Sequence, residues 1–151
     1  MPPTAARSQF TVADANRALP LVRCIVTDIV AEYVRMKEIG RERRAVEVSG
    51  AGSEAARRQV DDLKAEMEER TQRIDSYIKE LSDLGVELKD PEKGLVDFPS
   101  ERSGRAVWLC WRLGEDGVTH WHGIDETYYD RRAIETSRKN AGEKRSGDAA
   151  K

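Results

Sequence analysis

The 151-residue sequence is short of several things, and each shortage narrows the reading. It has two cysteines, Cys24 and Cys110, far apart and without metal-type spacing, so they read as reduced thiols rather than a disulfide or zinc framework. It has no apolar run of membrane-spanning length and no signal-peptide core, so no membrane partner is expected and the cytoplasm is the expected location. It has no excess of one charge sign: 26 Lys+Arg stand against 28 Asp+Glu, a formal net charge of −2, which argues against a dedicated nucleic-acid binder. It carries no P-loop, GxGxxG, HExxH or nucleophile-elbow pattern. What it does carry is 36% charged and 38% hydrophobic residues in 17.0 kDa, enough for one domain with a real core and a heavily solvated surface.

Residues 1–9 hold two prolines among small polar residues and read as a disordered terminus. Thr11 and Asp14 then form a capping pattern that opens a helix. Pro20 disfavours helical geometry at Leu19, so a short helix is expected to end near Ala18 and a second to begin at Pro20. The second starts broadly apolar (Leu21, Val22, Ile25, Val26, Ile29, Val30, Tyr33), with Cys24 on its core side, and thins to Met36, Ile39 and Val46. Ser49 to Ser53 contains two glycines and reads as a reversal. From about Ser53 to Leu84 a coiled-coil-like seam follows: Val60, Leu63, Met67, Ile74, Tyr77, Leu81 and Leu84, interrupted at Arg70. Gly85 suits the stop.

After Gly85 the period turns from helical to alternating. Val86 to Asp90, Leu95 to Pro99, Ala106 to Leu113 and Val118 to His122 read as strands, with a hairpin turn at Gly114 to Gly117. Ile124 to Arg132 reads as a short last helix, and residues 133–151 as a disordered polar tail. The expected fold class is α+β: a long antiparallel helical hairpin (11–84) with a small antiparallel β-sheet packed at its base (86–123), a single domain over 10–132.

All three tryptophans and both histidines fall between Trp108 and His122. A two- or four-residue turn pairs odd positions of one strand with even positions of the next. One face then carries Val107, Leu109, Trp111, Leu113, Val118, His120 and His122; the other carries Trp108, Cys110, Arg112, Thr119 and Trp121. Histidines at i, i+2 on a strand can share a metal ion, and Glu115, Asp125 and Glu126 are nearby carboxylates that could complete an N/O shell suited to Zn²⁺, Mn²⁺ or Fe²⁺. Against that stands a structural reading, with His120 in solvent and His122 hydrogen-bonded and half-buried. Cys110 reads either as a thiol activated by a nearby cation or as a small buried apolar residue. Asp97 is a turn residue or a carboxylate that orients His122 or Arg131.

Phe10-Thr11, Ala15-Asn16 and Leu19-Pro20 open a further pattern. Leu84 to Asp90, Gly94 to Pro99, Leu109 to Glu115 and Trp121-His122 complete it. From Phe10 to Arg132 the chain resembles a family of small bacterial proteins catalogued as domain of unknown function 2203. The family brings no assigned activity. The resemblance implies that Asp97, Cys110, Trp111, Glu115, Trp121, His122, Asp125 and Arg131 are the positions to watch.

Three functional expectations stand side by side, the third a thiol-based redox sensor at Cys110. The first is a non-catalytic binding or scaffold protein that forms a homodimer through its helical hairpin, with any small-molecule ligand unknown. The second is a metal-binding protein or metal-dependent enzyme using His122 with Glu115 and Asp125, and His120 beside them.

Overall fold

The structure, a computed structural model, describes residues 9–50 and 52–135. The segments expected to be disordered therefore lie largely outside the described residues, at 1–8 and 136–151. Helix α1 runs Val12–Ser49 and helix α2 runs Glu54–Leu84, and the two pack against each other as a hairpin. Thr11 caps α1 through a complete capping box with Asp14, and Ser53 caps α2. Gly85 ends α2 in the left-handed region, at φ 91°, a conformation that favours glycine.

The break expected at Pro20 does not occur: α1 passes through it. Pro20 cannot donate to the Asn16 carbonyl, and a proline inside a helix costs about 3 kcal/mol. Ala15, Leu19, Val22, Val26 and Ile29 are all buried and spaced 4-3-4-3 along one face that runs across the proline. Burying each large apolar side chain contributes roughly 1.5–3 kcal/mol, so the continuous face outweighs the lost hydrogen bond. Cys24 falls outside that stripe and is exposed, not core.

Arg70 interrupts the apolar seam of α2 because charge replaces packing there. Its guanidinium reaches Glu32 at 2.8 Å and Glu66 at 3.0 Å, while Arg35 of α1 donates to both carboxylate oxygens of Glu66 at 2.8 and 2.9 Å. These bonds join the two helices where the seam thins.

Five antiparallel strands form one sheet in sequence order: β1 Glu87–Asp90, β2 Leu95–Arg102, β3 Arg105–Arg112, β4 His120–Gly123 and β5 Arg132–Ala133. Val96, Phe98, Leu109 and Trp111 form the face turned to the helices and share one core with Leu19, Val22, Val26, Ile29 and Leu81. Polar contacts dock the helix start onto the sheet: the Phe10 amide donates to the Pro99 carbonyl at 2.8 Å, and the Ser100 hydroxyl donates to the Phe10 carbonyl at 2.5 Å. At Gly94 (φ +70°) an added Cβ would sit 2.7 Å from Leu113 Cβ and 3.1 Å from Val26 Cγ1, so glycine permits the β1–β2 turn to approach α1.

The last helix expected over Ile124 to Arg132 is not formed. Thr127 and Asp130 make a capping box, but only one 3-10 turn follows, Tyr128–Asp130. Arg131 then returns to extended geometry, and the Ile134 amide donates to the Thr119 carbonyl at 2.8 Å, drawing the chain into the sheet as β5. Sheet pairing thus takes over the end of the segment expected to be helical. No helix among the described residues is long and apolar enough to cross a membrane.

Candidate functional site

The sheet's outer face carries the chemistry, and its composition differs from the one expected. Trp108 faces His122, Leu109 faces Trp121, and Cys110 faces His120. Even positions therefore meet even positions, so Cys110 shares a face with both histidines, while Trp111 lies on the core side and Trp121 on the same side of the sheet as Leu109. The cause is the connection between β3 and β4. Val118 does not pair with β3; its amide donates to the Asn16 side-chain oxygen at 2.8 Å, and its carbonyl accepts from the Asn16 amide at 3.4 Å. A helix side chain replaces one strand partner, the loop becomes longer, and the phase of the alternation inverts.

On that outer face Asp97 of β2 lies directly opposite Cys110 of β3, and His122 of β4 lies diagonally beyond. All three are buried, at 2%, 1% and 3% exposure. One carboxylate oxygen, Sγ and one ring nitrogen all lie within 4.8 Å of one another. His122 Nε2 is 3.0 Å from Asp97 Oδ2, and Nδ1 is 2.9 Å from the Gly123 carbonyl. A carbonyl has no proton to give, so Nδ1 donates. Nε2 and Oδ2 then share a second proton, because two facing lone pairs would repel at that distance.

Burial pushes the Asp97 carboxyl up from its ordinary value, against the attraction of His122 and Lys89. Burial and the neighbouring Asp97 push the Cys110 thiol up to about 12, although Arg131 Nη1 stands 3.9 Å from Sγ. The thiol is therefore protonated at neutral pH, the opposite of an activated nucleophile. Arg131 is anchored by Glu115 at 3.2 and 2.5 Å. Burial works against the Glu115 charge, but Arg131 and the Arg112 amide outweigh it and hold the carboxyl below its usual range.

A cavity of about 300 Å³ opens over the cluster. Asp97, Cys110 and His122 line it, with Leu95, Trp108, Ile124, Tyr128 and Tyr129 as apolar and aromatic walls and Lys89 among the lining charges. The segment after β4 folds back over this face. It is held by Arg132–Glu126 at 2.7 Å, by Lys93 donating to the Tyr129 hydroxyl at 2.7 Å, and by Arg112 and Arg131 against the Tyr128 ring. This cover explains why β2 is buried without interruption from Leu95 to Ser100: helices cover one face and this strap the other.

The structure separates the remaining expected site residues. Glu115 is engaged by Arg131, and Asp125 is exposed and does not line the cavity. His120 is partly exposed, with Nδ1 2.9 Å from the Thr119 hydroxyl. Trp111 is fully buried in the core and donates its indole N–H to the Glu115 carbonyl at 3.0 Å. Trp121 lies between the guanidinium groups of Arg102 and Arg132, 4.5 and 4.7 Å from its ring centre. The expected His122–Glu115–Asp125 set is thus not gathered; Asp97, Cys110 and His122 are. Lys89, Ile124, Tyr128 and Tyr129 escaped sequence reasoning as lining residues. A strap misread as a helix hides its contacts.

Fold and site together define an α+β protein whose small sheet presents a buried Asp–Cys–His cluster beneath an aromatic-walled cavity. The chain belongs to the family described as Uncharacterized conserved protein (DUF2203), whose profile matches residues 8–134. No curated protein and no solved structure matches it.

Proposed function

We propose that the protein binds a small, ring-bearing molecule on the outer face of its sheet, with the Asp97–His122 pair as the polar anchor at the cavity floor. The observation that carries this reading is the position of that pair. A buried, hydrogen-bonded polar pair contributes little net stability after desolvation, so one lining a cavity points to recognition. The cavity volume lies at the lower end for small-molecule pockets, which suits one ring and a polar substituent rather than a large cofactor. Ile124 and Tyr129, 50% and 75% exposed, sit at its edge as apolar surface that a ligand would cover.

The test uses EDTA-treated protein and a set of single-ring phenols, benzoates and indoles. Members that fit raise Tm and shift Trp108 emission, and Trp108→Ala removes both the wall and the response. Absence of any Tm or emission change at millimolar ligand contradicts the reading.

Self-association through the hairpin is a second reading, supported by Val34 and Val48 on α1 and Ile78 on α2, which stay exposed on the long helices. It predicts a solution mass of twice the 17.0 kDa chain. A monomer by light scattering at micromolar concentration contradicts it without touching the pocket.

A further inference from the structure

We propose that Asp97, Cys110 and His122 form a binding site for one divalent ion of the zinc class, with its remaining coordination position open to the cavity. The inference shares the sheet face of the pocket reading and deepens it, but needs no organic ligand.

Three different donors, an oxygen, a sulfur and a nitrogen, come from three successive strands and converge on one region. Tetrahedral zinc with bonds of 2.0–2.3 Å places its ligand atoms roughly 3.3–3.8 Å apart. Nε2 and Oδ2 already stand 3.0 Å apart, and all three donor atoms lie within 4.8 Å. Side-chain rotations of about an ångström therefore complete the geometry.

The surroundings match what a metal centre needs beyond its ligands. The Gly123 carbonyl takes Nδ1–H and leaves Nε2 directed at the cluster, the usual way an imidazole ligand is fixed. Arg131, itself held by Glu115, places positive charge 3.9 Å from Sγ, where a coordinated thiolate carries negative charge. A bound divalent ion deprotonates a coordinating thiol and displaces the proton between Nε2 and Oδ2, so the apo arrangement is the protonated form of the same site.

The donor set selects the ion. Thiolate and imidazole disfavour Mg²⁺ and Ca²⁺, which prefer oxygen ligands, and the carboxylate disfavours Cu(I). Zn²⁺, Co²⁺ and Fe²⁺ are divalent ions that suit this mixed set. Three protein ligands and an open fourth position form the arrangement of reactive rather than closed structural zinc sites.

Co²⁺ is the probe. The full chain, in a Cys24→Ser background that removes the exposed thiol, is stripped with EDTA and titrated. The expected result is about one equivalent bound, a thiolate-to-cobalt charge-transfer band in the near ultraviolet, and intense visible bands of tetrahedral geometry. Cys110→Ala abolishes the charge-transfer band, and Zn²⁺ displaces the cobalt. Should Cys110→Ala fail to fold, zinc retained by wild-type protein after desalting decides. Retention below about a tenth of an equivalent, or a charge-transfer band that survives Cys110→Ala, overturns the proposal. Because the ring-ligand test runs in EDTA-treated protein, failure of metal uptake and failure of the pocket reading are separate results.

Discussion

Asp97 is the residue on which the site turns. It is buried, faces Cys110 across a strand pair, and shares a proton with His122. Removing one member of a buried pair leaves the other without its partner. Asp97→Ala is therefore expected to cost roughly 1–3 kcal/mol of unfolding free energy. Asp97→Asn should cost clearly less, since the amide N–H can donate to Nε2 while Nδ1 keeps Gly123. Urea denaturation of the three proteins checks this, and equal losses for Ala and Asn would show that the hydrogen bond is not what Asp97 supplies. Cys110 illustrates how a residue's surroundings decide its chemistry. One arginine stands near its sulfur, yet burial and a neighbouring carboxylate dominate, and the thiol stays protonated.

At the scale of elements, the two helices are joined by packing at the base and by charge further out. Arg35 holds the Glu66 carboxyl down at about 2. An unfolded glutamate titrates near about 4.3, so the stabilisation from this pairing is complete above that pH and is lost as pH falls toward 2. The Tm gap between wild type and Glu66→Gln should be widest near neutrality, narrow below pH ~4 and close near pH 2. A gap independent of pH would mean that Glu66 acts through packing alone.

The hairpin and the α+β class are legible in the sequence because their signals are local: a cap at Thr11, a glycine-containing reversal at Ser49 to Ser53, a stop at Gly85, and a change of period after it. The faces of β3 and β4 are not legible in the same way. Their phase depends on Asn16, roughly a hundred residues away, satisfying Val118, and no local pattern carries that contact. Pro20 fails as a helix stop for a similar reason, since the buried stripe across it belongs to tertiary packing. Asp97, Cys110 and His122 are each legible as candidates, but their grouping follows only from the strand register.

At the scale of the whole molecule, one thin sheet is covered twice. The helices take the apolar face and make the core, and the strap from Ile124 to Arg131 takes the other face and leaves a cavity above three buried polar side chains. The strap is fastened by ion pairs, a tyrosine hydroxyl and cation–ring contacts, and its 3-10 turn buries no side chain fully. Amide exchange over Ile124 to Arg131 is therefore expected to be faster than in the core strands.

His122 lies beneath that strap, held between the Gly123 carbonyl and Asp97. The chain has two histidines, so imidazole resonances can be assigned cleanly, and ¹⁵N-edited NMR of the ring nitrogens at neutral pH is the most direct measurement. His122 is expected to give a slowly exchanging Nδ1–H signal and a second proton, shifted far downfield, that is shared with Asp97 and lost in Asp97→Asn, while the partly exposed His120 exchanges rapidly. Ring protons of both histidines exchanging at the rate of free imidazole would contradict this arrangement.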